Sequence, residues 1–262
     1  MPTGPVNQSL DLQSKLFQRF LGSQYFREVV HSRKGEQTRV LDVGTGTGEW
    51  AIGYADTYSD QVHVIGVDIR VMQPDWVPHN CFFEIYNCEQ QWPWNDGFDY
   101  IRICGTAGCF KDVQRLVKQA FEKLQPGGIL QMVDFDLRLR RHDGEDTRDD
   151  DALKLFRRHA EAANNLERPI DVAPRYHRMM QEAGFELVRN DVFKVPANPW
   201  PVDEQEKKVG YMMQECITSD LEGMVTDRLV SGLGFVSEEV IVDCVTARKH
   251  LRNTENQFCF DL

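Results

Sequence analysis

Apolar and polar positions along the chain follow two periods, one typical of strands and one typical of helices. Five apolar runs predict buried strands, and they lie at 38–43, 62–68, 81–86, 98–103 and 128–135. Segments with helical spacing lie between several of these runs, at 49–58 and 113–124. Strands that alternate with helices in this way predict a parallel sheet with helices on both faces. Ligands of such α/β sheets bind at the carboxyl ends of the strands.

The rest of the chain predicts mainly helices. Amphipathic or capped helical segments are expected at 10–30, 151–164, 172–183, 203–224 and 237–251. A sixth strand is predicted at 185–195, and another begins at Phe258 and runs to Leu262. The segment 138–151 is crowded with charges and is interpreted as a solvated loop that leads into the helix at 151–164. It does not match the template of a calcium-binding loop, so no metal site is predicted there.

Composition and charge limit the classes of function. The 262 residues carry a net charge of −11, which opposes non-specific binding to nucleic acid. No apolar run approaches the roughly 18 residues of a membrane span. Residues 1–9 lack the regions of a signal peptide, so we expect a cytoplasmic location, with a nuclear one also compatible. Seven cysteines form no C-x-x-C pair, so we expect neither a metal site nor a disulfide framework. No linker-like composition divides the chain, so a single domain, 1–262, is predicted.

A glycine-rich turn joins the first predicted strand to the helix that follows it. The run from Val40 to Gly48 reads VLDVGTGTG, and glycines at these positions let a ligand approach the backbone closely. Glu49 stands where the dinucleotide fingerprint needs Gly or Ala, and its carboxylate would repel a pyrophosphate. The acidic Asp42 and Glu49 instead suit the cationic S-adenosylmethionine, so this turn predicts a site for that cofactor.

A second acidic residue supports this interpretation. The next apolar strand ends at Asp68, 24 residues after Gly44, about where a βαβ unit places its ribose-binding acid. An aspartate at a strand end by itself is more typical of a solvated cap. Joined to the glycine turn, Asp68 is predicted to hold the ribose hydroxyls.

Six ordered blocks of the sequence carry a family resemblance, and they lie at 11–13, 40–52, 64–69, 73–85, 125–136 and 196–210. They resemble class I S-adenosylmethionine-dependent methyltransferases, and within these the fungal LaeA-like (UMTA-type) enzymes of secondary metabolism. The resemblance implies a Rossmann-like, doubly wound, seven-stranded sheet whose last strand is short and antiparallel beside the sixth. It also implies a substrate cap built from helix 10–30 and from insertions at 138–183 and 196–251.

The resemblance also implies which residues bind the cofactor, S-adenosyl-L-methionine, and its product, S-adenosyl-L-homocysteine. The predicted cofactor-binding residues are Asp42, Gly44, Thr45, Gly46, Gly48, Asp68, Ile69, Asn87, Cys88 and Cys104. Two departures from the family pattern affect this set. Asn87 replaces an acidic residue expected to face the adenine, although its side-chain oxygen can accept a hydrogen bond. The segment Arg102–Gly105 replaces polar residues of the family.

Catalytic residues are harder to predict, because methyl transfer mainly requires positioning of the acceptor and at most one base. Asp136 and His142 are the leading candidates by location, with Asp134 as a further one. His177, Trp200 and Tyr211 are candidates for the substrate cavity. Cys104–Gly108 stands where base-modifying enzymes carry an N-P-P-Y motif, which argues against a nucleic-acid base as acceptor.

Three functions stay open at this point. The first is methyl transfer to oxygen or nitrogen of a small-molecule secondary metabolite. The second, implied by the LaeA resemblance, is a regulator of secondary metabolism that acts through protein partners. The third is a methyltransferase fold that serves a non-methylating reaction such as a cyclisation, because a fold does not determine a function. The oligomeric state is not predicted.

Overall fold

A computed structural model describes residues 5–27, 36–95, 97–144 and 150–262. Its strands are β1 Thr38–Val43, β2 Val62–Asp68, β3 Cys81–Ile85, β4 Phe98–Cys104, β5 Leu124–Val133, β6 Asp136–Arg141, β7 Lys194–Pro196 and β8 Phe258–Asp261. Its α-helices are α1 Pro5–Leu21, α2 Glu49–Tyr58, α3 Val113–Lys123, α4 Asp151–Asn165, α5 Tyr176–Ala183, α6 Glu204–Thr218, α7 Leu221–Leu233 and α8 Ser237–Arg252. None of the helices in the described residues combines the length and apolarity needed to cross a membrane.

The first five strands form one parallel sheet in the order β3-β2-β1-β4-β5. The central strands are mostly apolar and largely buried, and every residue of β4 is buried, as is typical of parallel sheets covered by helices. Helices α2 and α3 connect strands of this sheet, and Asp112 caps α3 by accepting a hydrogen bond from the Arg115 backbone N–H. The α/β fold class and a Rossmann-like parallel sheet are therefore confirmed.

The predicted single seven-stranded sheet is wrong in its last two strands. The final strand β8 does lie antiparallel to β7, but both belong to a separate three-stranded sheet, ordered β6-β8-β7. The sixth strand is also shorter than predicted. The range 185–195 was expected to be extended, but the strand observed there is only Lys194–Pro196.

Strand β6 occupies part of the segment that was expected to be a solvated loop. Two of its three arginines are bound by carboxylates of the sheet: Arg138 and Arg140 both contact Asp136, and Arg140 also contacts Asp261 of β8. Arg141 pairs with Asp143, which follows the strand. Leu139 meanwhile is buried. The charges of Arg138 and Arg140 are thus paired within the antiparallel sheet. Residues 145–149 of the same segment lie outside the described residues.

The helices of the second half pack against one another and against the antiparallel sheet. Helix α4 packs against α7, α8 and β6, while α1 packs against α6. The single helix predicted at 203–224 is two helices, α6 and α7, which are separated at Ser219 and Asp220. The start of the predicted helix 172–183 is a 3-10 turn at Ala173–Arg175, and α5 follows it. Residues 28–30 of the predicted first helix lie outside the described residues.

Candidate functional site

The glycine-rich turn lies at the carboxyl end of β1, next to the end of β2. The backbone N–H groups of Gly44 and Thr45 both donate to the Val67 carbonyl, at 2.9 and 3.0 Å, which ties the turn to β2. Its three glycines all have positive φ, between +57° and +80°. The turn is therefore a backbone structure that residues with side chains disfavour.

The three glycines of the turn serve different purposes. A Cβ on Gly48 would lie 2.4 Å from the Phe83 ring, and one on Gly44 would lie 2.9 Å from the Thr106 methyl group. A Cβ on Gly46 would meet no atom within 4 Å. Two glycines thus permit internal packing, whereas Gly46 faces open space in which a ligand can approach the backbone.

Asp68 contacts the glycine turn directly. One carboxylate oxygen accepts a hydrogen bond from the Gly46 N–H at 2.9 Å, and the other accepts from the Arg70 N–H at 3.1 Å. Gln73, the first residue of the resemblance block 73–85, donates to the Gly46 carbonyl at 2.6 Å. It was not among the predicted cofactor-binding residues. A carboxylate has about four acceptor positions. The half-buried Asp68 therefore keeps acceptor positions for the hydroxyl groups of a ribose.

The predicted adenine side of the site lies past the ends of β2 and β3. Ile69 is 65% exposed and Ile85 is 67% exposed, so two apolar side chains stand uncovered at the strand ends. Asn87 is exposed, and its side-chain oxygen accepts from the Glu89 N–H at 3.0 Å. Burial raises the pKa of the Cys88 thiol to about 12, so this residue is a neutral wall of the site. The apolar side chains suit the flat faces of an adenine ring, and Asn87 suits its polar edge.

Asp42 and Thr45 form the support beneath the turn. The buried Asp42 carboxylate accepts hydrogen bonds from the Thr45 hydroxyl at 2.8 Å and from Arg102 at 2.9 Å. Burial raises the pKa of Asp42 and Arg102 opposes this shift. Arg102 also lies over the Trp50 ring, 4.5 Å from its centroid. Because Arg102 balances the charge of Asp42, the attraction for a cationic cofactor that was assigned to this aspartate is reduced.

Helix α1 covers the end of β4. Gly105, which follows β4 with φ of +69°, leaves so little room that a Cβ would lie 2.8 Å from the Gln13 side-chain oxygen and 3.3 Å from the Phe17 ring. The adjacent Cys104 is buried, and burial raises the pKa of its thiol to about 12. Cys104 is thus a neutral contact at the predicted cofactor edge. The first of the six resemblance blocks, 11–13, was the signal for Gln13.

A buried polar group stands at the carboxyl end of β5. The Asp134 carboxylate accepts from the Tyr176 hydroxyl at 2.6 Å, from the Ala107 N–H at 2.8 Å and from the Thr106 hydroxyl at 3.3 Å. Burial raises the pKa of Asp134 to about 6, although these hydrogen bonds oppose the shift. Asp134 therefore holds the loop after β4 against α5. Sequence reasoning missed Tyr176 and Thr106, which lie 42 and 28 residues from Asp134.

The two leading catalytic candidates are not brought together. Asp136 is 1% exposed and bound by Arg138 and Arg140, each at 2.6 Å; burial raises its pKa, and these arginines shift it below the ordinary value overall. His142 follows the other end of β6, about 20 Å away at roughly 3.3 Å per residue. There its ring lies 4.6 Å from that of Trp200. Neither side chain has the geometry of a base beside the glycine turn.

The three predicted substrate residues are also dispersed. His177 is half-buried on α5, next to Tyr176 of the Asp134 group. Trp200 donates to the Phe258 carbonyl at 3.0 Å, and so belongs to the antiparallel sheet. Tyr211 is 58% exposed on α6. Of the three, only His177 is adjacent in sequence to a residue of the Asp134 group. No group of three or more metal-binding side chains occurs among the residues with described positions.

Comparisons with known proteins agree with this geometry. The sequence pattern of the methyltransferase domain family matches residues 14–190. The chain is 29% identical over 252 residues to "Methyltransferase pytC" of Aspergillus terreus, covering 96% of this chain and 77% of that protein. It is 30% identical to "Secondary metabolism regulator LAE1" of Cochliobolus heterostrophus, covering 84% and 72% of the two chains.

A solved structure supports the fold assignment. The chain superposes on a Galdieria sulphuraria protein assigned as a sarcosine dimethylglycine methyltransferase with a TM-score of 0.50 and 14% identity, covering 100% of this chain and 89% of that one. This likeness concerns the fold alone. The domain match over more than half of the chain, together with the identity to LAE1, carries the assignment. The chain belongs to the S-adenosylmethionine-dependent methyltransferases, in the group of fungal LaeA-like proteins.

Proposed function

We propose that this methyltransferase acts on an oxygen or nitrogen atom of a small-molecule acceptor, a secondary metabolite. The observation that carries the proposal is the Gly46–Asp68 pair, in which an open backbone position stands beside a half-buried carboxylate at the carboxyl ends of β1 and β2. S-adenosylmethionine, when bound, supplies a methyl carbon activated by its sulfonium. The chain itself has to hold that cofactor and orient the acceptor.

In this proposal, different residues of the site bind different parts of the cofactor. Asp68 would accept hydrogen bonds from the ribose hydroxyls, and Ile69 and Ile85 would cover the faces of the adenine. The opening above Gly46 would receive the rest of the cofactor. Gln13, which reaches Gly105 from α1, would close the site from the side of the first helix.

The acceptor would bind beside the loop after β4, between α1 and α5. Asp134 fixes this loop through Ala107 and Thr106, and it fixes Tyr176 at the same time. Because methyl transfer depends chiefly on holding the two reactants in line, a rigid loop contributes to the reaction without a dedicated base. Asp136 and His142 are not assigned a role in this step.

Two measurements test the proposal. Calorimetry with S-adenosylmethionine and S-adenosylhomocysteine is expected to give micromolar or tighter binding; no heat with either ligand would overturn it. Incubation with methyl-labelled cofactor and a fungal small-molecule extract is expected to label a small molecule. Cofactor binding without any transfer of label would instead favour the non-methylating alternative.

A second candidate function rests on the relatives described as regulators of secondary metabolism. Under it, a protein would be the partner or the methyl acceptor. Label that appears in protein, or stable co-purification with a partner, would favour this function over the first. We propose a cytoplasmic site of action for the small-molecule reaction, which fluorescence microscopy of the tagged protein can test; accumulation in the nucleus would favour the regulatory role.

A further inference from the structure

An arginine of α7 reaches the loop that follows β4. The Arg228 guanidinium contacts His159 Nε2 at 3.1 Å, and it donates to the carbonyls of Met224 at 3.2 Å and Gly108 at 3.4 Å. All three groups are acceptors without a full negative charge. Within the described chain, these bonds use three of its five N–H donors, which leaves the Nε–H and one Nη2–H on the same edge of the guanidinium.

Neighbouring arginines differ from Arg228 in having a carboxylate partner. Arg168 contacts Glu89 at 3.1 Å, and Arg158 contacts Asp243 at 2.8 Å. No carboxylate of the described residues forms an ion pair with Arg228. Burial and the nearby Arg168 lower the pKa of Arg228, which is the expected effect on a half-buried charge that lacks an anion.

His159 orients the guanidinium without neutralising it. The ring is 0% exposed, and burial and then Arg228 lower its pKa to about 3, so it is neutral at pH 7. Because arginine is always a donor, Nε2 accepts and the proton lies on Nδ1. His159 therefore acts as a fixed, uncharged support that holds Arg228 in one direction.

Gly108 provides the room for this arrangement. Its φ is +79°, and a Cβ there would lie 2.7 Å from Arg228 Nη2. Its N–H donates to the Pro169 carbonyl at 3.0 Å, while the preceding Ala107 N–H donates to Asp134. The loop is thus held on one side by Asp134 and on the other by Arg228, at the carboxyl end of β4 where ligands of this sheet bind.

We propose that Arg228 binds an anionic group of the methyl acceptor, a carboxylate or a phosphate, through its Nε–H and Nη2–H edge. This inference rests on the proposed small-molecule function. An arginine edge matches two oxygens of such a group, and it would orient the acceptor relative to the loop at Ala107 and Gly108. His159 is a positioning residue in this arrangement.

The test divides a fungal small-molecule extract on an anion-exchange resin. The retained fraction holds anionic compounds and the flow-through holds neutral and cationic ones; each is incubated with the protein and methyl-labelled S-adenosylmethionine. We expect labelled product from the retained fraction. Label from the flow-through alone would overturn this inference and leave the proposed function standing, whereas label from neither fraction would overturn both. Phosphatase treatment of the retained fraction distinguishes the anions, because it abolishes labelling only if the group is a phosphate.

Variants then test the residue itself. Arg228→Met is expected to lower labelling from the retained fraction at least tenfold, and Arg228→Lys is expected to restore part of it. Once the labelled compound is isolated, the loss should lie in the KM for the acceptor. Calorimetry with S-adenosylhomocysteine should give the same affinity as the unmodified protein within twofold, which shows that the variants fold.

Arg158→Met is the matched control, since Arg158 lies on α4 beside His159 and is already paired with Asp243. Its labelling should equal that of the unmodified protein. Full labelling by Arg228→Met would overturn the assignment. An equal loss in Arg158→Met and Arg228→Met would also overturn it, because the effect would then be a general consequence of removing an arginine.

Discussion

The cofactor side and the acceptor side of the site are built in different ways. The centre of the proposed cofactor side is the turn after β1 and the end of β2, where backbone N–H groups and one carboxylate lie within 42–68 of the sequence. The acceptor side that we propose joins residues that are far apart, such as Arg228 and Gly108, which are 120 residues apart. In our proposal, cofactor recognition depends mainly on the shape of a short segment, whereas acceptor recognition depends on charged side chains from several elements.

Buried charges differ between the two sides as well. Under the glycine-rich turn, burial raises the pKa of Asp42, but the buried Arg102 lies 2.9 Å from its carboxylate and opposes this shift. On the acceptor side, burial shifts the pKa of Asp134 and of His159 toward their neutral forms. The first arrangement stabilises a fixed support, and the second makes the acceptor side sensitive to pH. Four predictions test this difference, in order of decreasing effect.

The largest effect is expected from removing the cation beneath the cofactor turn. Arg102→Met leaves the Asp42 carboxylate buried without its partner, which typically costs about 3–5 kcal/mol of stability. Urea unfolding followed by circular dichroism measures the change. Adding Asp42→Asn to the same variant should recover part of the loss. A cost below about 1 kcal/mol in the single variant would contradict the structural role of this pair.

Acid is expected to weaken the acceptor side through His159. Its pKa is about 3 in the folded protein and near 6.5 when unfolded, so the unfolded chain binds the proton first, and stability is lost as pH falls below 6.5. Between pH 6.5 and pH 4 the expected loss of stability is about 3 kcal/mol, at about 1.4 kcal/mol per pKa unit. The free energy of unfolding of the wild type minus that of His159→Gln should fall by this amount between pH 6.5 and pH 4. A difference that stays constant with pH would contradict the lowered pKa of His159.

Titration of Asp134 should change the stability of the protein with pH in the opposite direction. Its pKa is raised from 3.8 to about 6, so the folded protein binds the proton more tightly than the unfolded chain. The resulting stability is present below pH 4 and is lost as pH rises to 6, by up to about 3 kcal/mol. Asp134→Asn removes the titration. Unfolding of wild type and variant at pH 4, 5, 6 and 7 measures it, and parallel curves would show that Asp134 does not titrate in this range.

The smallest effect concerns the affinity for the cofactor. Asp68→Ala removes a carboxylate that we propose binds the ribose, and it should weaken S-adenosylhomocysteine binding by about 2 kcal/mol, the size of a hydrogen bond to a charged group. Calorimetry measures the affinity. Asp75→Ala, an exposed residue of the loop that follows β2, is the control and should bind normally. Unchanged affinity in Asp68→Ala would remove this residue from the site.

Much of the parallel sheet could be predicted, because its signals are local. An apolar run followed by VGTGTG indicates a strand and a tight turn, and the turn has the expected positive φ values. The last strand does lie antiparallel to the one before it, as predicted, but the assignment of both to the main sheet was wrong, because the stability of the separate sheet is not local. The arginines of β6 are bound by Asp136 of the same strand and by Asp261, which is 121 residues from Arg140. The distant partner is not visible from the local sequence, where the charges indicated a loop.

The sequence by itself determined the fold class, the family and the position of the cofactor turn, since each depends on residues that are close together in the chain. The tertiary structure decided which charges meet. It paired Asp42 with Arg102, engaged Asp136 with two arginines, and placed Arg228 beside Gly108 without a carboxylate. The charge and the proton affinity of a side chain depend on its burial and on its neighbours in space, and sequence spacing does not report either of them.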